Sequence, residues 1–219
     1  MNMPPNLLPA DLFFLAYLVW FLVLVQAVLR APWRAFFSSR LLNVFLGSTV
    51  ALMLLWSFNV SVTPGLGYHF LGVTVFTLMF GWSLGIIGAS LASLGAALQA
   101  GTLASLSLNA LVFGVLPVSL SYGFSYLVHR HLPHHVFVYI FLSAFLGAIL
   151  TAAFTVFAAV GLLVLTEAYP YARIAAEYLP FLPLYLFPEG FLNGLLATVF
   201  IGLRPQWLKN FDDESYLNR

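Results

Sequence analysis

The chain has 219 residues, of which 62% are hydrophobic and only 7% are charged, with a formal net charge of +1 and no cysteine. A soluble domain carries roughly 25% charged residues, so a water-soluble fold is excluded. The absence of cysteine removes disulfides, thiolate metal sites and cysteine nucleophiles together.

The mean hydropathy is +1.00, and apolar runs of about 20 residues recur along the whole chain, the length a spanning helix needs. A first span is expected over about Asp11 to Leu29, ahead of the basic segment with Arg30, Arg34 and Arg40, and a second over about Leu41 to Asn59. The opening MNMPPNLLPAD has no basic residue and the following run is too long for a signal peptide, so no cleavable leader is expected. Residues 60 to 69, VSVTPGLGYH, read as a helix-breaking turn. A short third span runs from about His69 to Phe80, and Gly81 and Trp82 turn it directly into a fourth, about Leu84 to Ala100. The fifth covers about Leu106 to Val128 with a kink at Pro117, the sixth Phe137 to Leu165, and the seventh ends near Leu203.

The expected fold is therefore an all-α integral membrane protein, one polytopic domain over residues 1–219 with about seven transmembrane helices. Arg30, Arg34, Arg40, Arg130, Arg204, Lys209 and Arg219 fall on one face and only Arg173 on the other. The positive-inside rule then places the N-terminus outside and the tail 204–219 in the cytoplasm. The lipid bilayer is an expected partner, and no nucleic acid is expected.

Within the fourth span, Gly81, Gly85, Ala89, Ser93, Ala97 and Gly101 recur every fourth residue, and Gly88, Ala92, Ala96 and Ala100 form a second row. Small residues at this spacing let helix backbones approach closely. Two uses are open: packing inside the bundle, or a face on which Gly85, Gly88, Ala89, Ala92 and Ala96 dock a partner subunit.

Polar groups in the hydrocarbon layer are expensive and demand a reason. Glu189, in LFPEGFLNG, lies about 22 Å from the cytoplasmic end at Arg204, in a layer about 30 Å thick. With Pro188 at the first helical position, Glu189 would occupy the opening turn of its own helix, where the dipole favours an anion. His69 reaches nearly the same depth, Asn193 shares the helix face of Glu189, and Asn109 lies toward the outer end of the fifth span. A histidine, a carboxylate and two carboxamides meeting below the outer surface suit a borderline divalent cation such as cobalt, nickel or zinc. Structural roles for all four stand beside that reading. The loop HRHLPHH, with His129, His131, His134 and His135, reads as a headgroup-level loop. No catalytic constellation and no phosphate-cradling loop is present, so the chain is not expected to be an enzyme and holds no ATPase site of its own.

Three blocks, GLGYHFLG at 65–72, SLNALVFGVLP at 107–117 and the late PEGFLNG, resemble the CbiM/NikM family of substrate-binding membrane components of energy-coupling factor (ECF) transporters for cobalt and nickel. That resemblance, covering roughly Pro64 to Leu203, implies a divalent transition metal ion as substrate rather than a permanent cofactor. It also implies partner T-component and ATPase subunits, and the plasma membrane of a prokaryote. In that family the metal is held by the folded-in N-terminus, through its free amine and second-position histidine, together with a third-span histidine that corresponds to His69. Here Asn2 stands where the family has histidine, with Met1 and Met3 as the only soft groups nearby. The departure points to a different metal, weaker binding or a changed substrate. The alternative reading is a permease for a small organic solute, or an assembly component that has lost metal binding.

Overall fold

A computed structural model describes residues 3–38, 41–58, 60–211 and 216. Helices α1 (Ala10–Arg30), α2 (Trp33–Ser38) and α3 (Leu41–Ser57) are followed by a two-stranded antiparallel hairpin, β1 (Val60–Thr63) and β2 (Leu66–Tyr68). Then come α4 (Val73–Ala100), α5 (Leu103–His131), α6 (Val136–Leu165), α7 (Tyr171–Glu177) and α8 (Leu182–Leu203). Among the described residues, α1, α4, α5, α6 and the segment Tyr171–Leu203 are long and apolar enough to cross a membrane, and α3 is a shorter apolar helix. The protein is an all-α integral membrane protein, the small hairpin aside.

Helix α4 is not one straight rod. Gly81 has φ +72° and ψ −173°, a conformation open to glycine and costly for other residues. A Cβ on Gly85 would lie 3.7 Å from the Thr77 hydroxyl, and one on Gly88 would meet the ring of Phe76. Twelve helical residues span about 18 Å, so contact between positions 76 and 88 requires the chain to fold back at Gly81. The eight-residue arm 73–80, about 12 Å long, thus runs against the longer arm 82–100. The turn expected at Gly81 and Trp82 is present.

The small-residue rows of the longer arm are filled from inside the chain. Gly85 faces Val118, Gly88 faces Phe76 and Phe45, and Ala89 lies against Gly114. Gly85, Gly88, Ala89 and Ala92 are buried and Ala96 is half-buried. Gly85, Gly88, Ala89 and Ala92 are thus used in packing within the bundle, the first of the two uses, while Ala96 keeps some exposed surface. Ala144, Ala148 and Ala152 on α6 are likewise buried.

Two further expectations change. The segment read as a bare turn at 60–69 forms the β1–β2 hairpin, whose tip bends at Gly65 with φ +79°. Tyrosines hold it in place: Tyr169 donates to Pro64 O at 3.0 Å, Tyr178 to Gly67 O at 3.3 Å, and Tyr68 to Tyr178 O at 2.9 Å. The Tyr68 and Tyr178 rings stack at 4.3 Å. Secondly, α8 begins at Leu182 and Pro188 lies inside it, so Glu189 is not in the opening turn of its own helix. Proline is tolerated within membrane helices because neighbouring groups satisfy the carbonyl it frees. On α5 a π-helical turn, Leu111–Val115, precedes Pro117. Such a bulge accommodates the missing N–H and the ring.

Gly88→Ala is expected to destabilise the purified protein by about 1–3 kcal/mol through overpacking against Phe76. Gly47→Ala, with nothing within 4 Å of the added methyl, should be neutral or slightly stabilising. Thermal unfolding in detergent measures both.

Candidate functional site

Glu189 is buried to 1% exposure and Asn193 to 0%. The Glu189 carboxylate accepts the Leu71 N–H at 2.8 Å on Oε2 and the Gly72 N–H at 2.9 Å on Oε1. Asn193, one turn further along α8, donates to Glu189 Oε1 at 2.8 Å and to its carbonyl at 2.8 Å, and its Oδ1 accepts the Val75 N–H at 2.8 Å. These N–H groups are the unsatisfied donors at the N-terminus of the short arm. Its N-cap residue is Gly72, in the left-handed region with no side chain to offer. Glu189 and Asn193 cap that arm from another helix, with the carboxylate placed where the dipole is positive.

Three donors engage both oxygens of the Glu189 carboxylate. Glu189 and Asn193 are bonded to the backbone of residues 71, 72 and 75 and to each other, rather than to His69 or Asn109.

His69 follows β2 directly and sits two residues before the capped N–H groups. Its ring packs against Trp56 and Phe113 with centroids 6.0 and 5.9 Å away. Its Nδ1 lies 3.1 Å from Phe70 O. A carbonyl can only accept, so the proton sits on Nδ1 and Nε2 is the basic nitrogen. Trp56 fixes the same turn by donating to Leu71 O at 2.8 Å.

A cavity of about 250 Å³ opens beside this histidine, walled by Trp56 and Phe113 and edged by the polar groups of Ser57, His69, Ser93, Gln99, Thr102 and Asn109. Ser57 donates to Gln99 Oε1. Asn109 reads the backbone of one residue in both directions: it accepts from Met3 N at 2.9 Å and donates to Met3 O at 3.2 Å. It also donates to Ser105 Oγ at 3.2 Å. Met3 is completely buried, so the chain enters the bundle next to the cavity wall. Met1 and Asn2 lie outside the described residues.

The structure thus brings His69 and Asn109 together and sets Glu189 and Asn193 apart from them. Gln99, Ser57, Ser93 and Thr102 join the cavity without having been expected there. Gln99 carried a signal, being the one carboxamide at the C-terminal end of the glycine- and alanine-rich span. Among the described residues no group of three or more His, Asp or Glu side chains converges.

The four histidines of HRHLPHH all have local partners at the opposite end of the bundle. His129 Nδ1 meets Tyr216 OH at 3.0 Å and its Nε2 meets His134 Nε2 at 3.3 Å. His131 Nδ1 contacts Leu127 O, and His135 accepts from Phe137 N to cap α6. These contacts structure the loop.

The family described as "cobalt uptake substrate-specific transmembrane region", CbiM, matches residues 2–207. The chain belongs to the CbiM family. A comparison with curated protein sequences finds no match. Membership makes this CbiM protein a membrane component of cobalt uptake, in a family of transport proteins.

In this CbiM chain Glu189→Ala should cost about 3–5 kcal/mol, since it leaves buried N–H groups unsatisfied and opens a void. Glu189→Gln, which keeps one acceptor, should cost about 1–3 kcal/mol. Unfolding midpoints of the metal-free protein in detergent test the ordering.

Proposed function

We propose that this CbiM protein is the substrate-binding component of an ECF-type ABC transporter in a prokaryotic plasma membrane, capturing a divalent transition metal ion of the cobalt and nickel class from outside. One observation carries the reading: the N-terminal chain is clamped at Met3 by Asn109 on the wall of the cavity into which His69 is built. Neutral imidazole is a good ligand for these metals, and exposed backbone or terminal nitrogen brought in by the N-terminal segment would complete the coordination. Asn109 acts as a positioning residue for that segment. Energy would come from ATP hydrolysis by partner ATPases, transmitted through a T-component.

Asn2 in place of the family histidine removes one imidazole from the set. The metal is therefore held with fewer strong ligands, and selectivity depends more heavily on His69. A second reading draws on the cavity volume of about 250 Å³ and its Trp56 and Phe113 walls. This space exceeds what a bare ion fills, so a small organic solute, alone or around a metal, also fits.

Titration of the purified chain with Ni²⁺ or Co²⁺ should show one site per chain. His69→Ala should weaken it at least about tenfold, about 1.4 kcal/mol. Metal-independent stability together with a co-purifying organic molecule would favour the second reading, and absence of any metal binding would sink the first.

A further inference from the structure

At the end of the bundle away from His69, a cleft of about 340 Å³ is lined by Arg30, Trp82, Ser83, Ser119, Tyr122 and Lys209. These residues come from four separate places: the last turn of α1, the residues after the Gly81 turn, α5, and the segment after α8. Nothing in the metal-binding reading uses them.

The chemistry of the lining is one-sided. Arg30 and Lys209 can only donate, and no carboxylate lines the cleft. Ser119 accepts the Trp82 indole N–H at 3.1 Å, and its hydroxyl still has a hydrogen to donate. Ser83 and Tyr122 add two more hydroxyls. Among the described residues neither cation lies within ion-pair distance of a carboxylate, the one ion pair being Arg173–Glu177.

Lys209 is exposed, yet its position is set. Its N–H donates to Leu78 O at 3.0 Å. Its side chain lies along the backbone of Gly81, where an added Cβ would meet Lys209 Cδ at 2.9 Å and Nζ at 2.8 Å. Two cations and three hydroxyls, with no carboxylate among the described residues lining the cleft, form a receptor for a tetrahedral oxyanion, which offers several acceptor oxygens and a negative charge.

We infer that the Arg30–Lys209 cleft binds a phosphate-bearing anion. Its position at the basic end of the spanning helices, at headgroup level, matches the phosphodiester of an acidic phospholipid. Free inorganic phosphate offers the same chemistry. The bound anion braces the Gly81 turn against α1, α5 and the tail, and so steadies the lower end of the short arm. This inference is independent of which substrate the outer cavity takes.

The test compares the purified chain in nanodiscs of phosphatidylcholine with and without phosphatidylglycerol, reading retained lipid by native mass spectrometry and stability by thermal unfolding. Phosphatidylglycerol should be retained selectively and raise the unfolding midpoint. Arg30→Gln and Lys209→Gln should each weaken retention about fivefold, whereas Arg34→Gln, a charge loss outside the cleft, should leave it unchanged. Tyr122→Phe, which removes one hydroxyl and no charge, gives a smaller loss and guards against variants that fail to fold. A midpoint raised by inorganic phosphate in phosphatidylcholine alone, without selective lipid retention, supports the site with free phosphate as its source. Equal retention of both lipids with no response to phosphate overturns the proposal. So does an Arg30→Gln/Lys209→Gln double variant that retains phosphatidylglycerol like the wild type.

Discussion

The arrangement around His69 depends on the bonds from Glu189 and Asn193 to the backbone of Leu71, Gly72 and Val75. An eight-residue helix is too short to be stable alone, and in a membrane its first N–H groups have no water to turn to. Its own N-cap residue, Gly72, has no side chain. A glutamate and an asparagine four residues apart on one face of α8 supply the acceptors instead. Both side chains present their acceptor oxygens to the positive end of the arm's dipole. With the 71–75 backbone fixed in this way, the turn before it, and so the imidazole of His69, has one place to be.

Polar residues in this bundle divide between two places. Glu189 and Asn193 bond to backbone and hold the fold. His69, Asn109 and Gln99 line a cavity. Asn109 shows how little separates the two: its carboxamide is fully engaged, yet what it engages is the incoming N-terminal chain at Met3. An intramembrane ionisable group is a functional hypothesis by default, but a cap for a neighbouring helix satisfies the same physics as a ligand site. Counting donors around the carboxylate decides between them.

Much of this architecture is legible in the sequence. The helical bounds follow from the apolar runs, and the fold-back follows from Gly81. The partner of Glu189 is not legible, because it lies 118 residues away in the chain. Sequence reading offers only the nearest helix terminus, the one suggested by Pro188. The small-residue rows mark a close-packed face but not its occupant. Here Phe45, Phe76 and Val118 fill it, two of them from elements remote in sequence. The β1–β2 hairpin escapes notice because strands of four and three residues are too short to show alternation, while Pro64 and Gly65 advertise only the turn. The family match to residues 2–207 agrees with the blocks around His69, Asn109 and Glu189, although those blocks carry different roles.

Both ends of the short arm are tied to the C-terminal part of the chain. At one end Glu189 and Asn193 of α8 bond to residues 71, 72 and 75, and at the other Lys209 bonds to Leu78 and lies on Gly81. A rod of eight residues fixed at both ends to one neighbouring segment has no independent freedom. It moves with α8 and the tail, or it breaks buried hydrogen bonds that cost about 1–3 kcal/mol each to leave unmade. His69 is three residues upstream of the cap. The same arm is also tied to α5, where Thr74 Oγ1 meets Ser121 Oγ at 2.8 Å, and it packs on the longer arm of α4 through Phe76 and Gly88. The turn that carries His69 into the cavity is therefore held from three sides, by α8, by α5 and by the rest of α4.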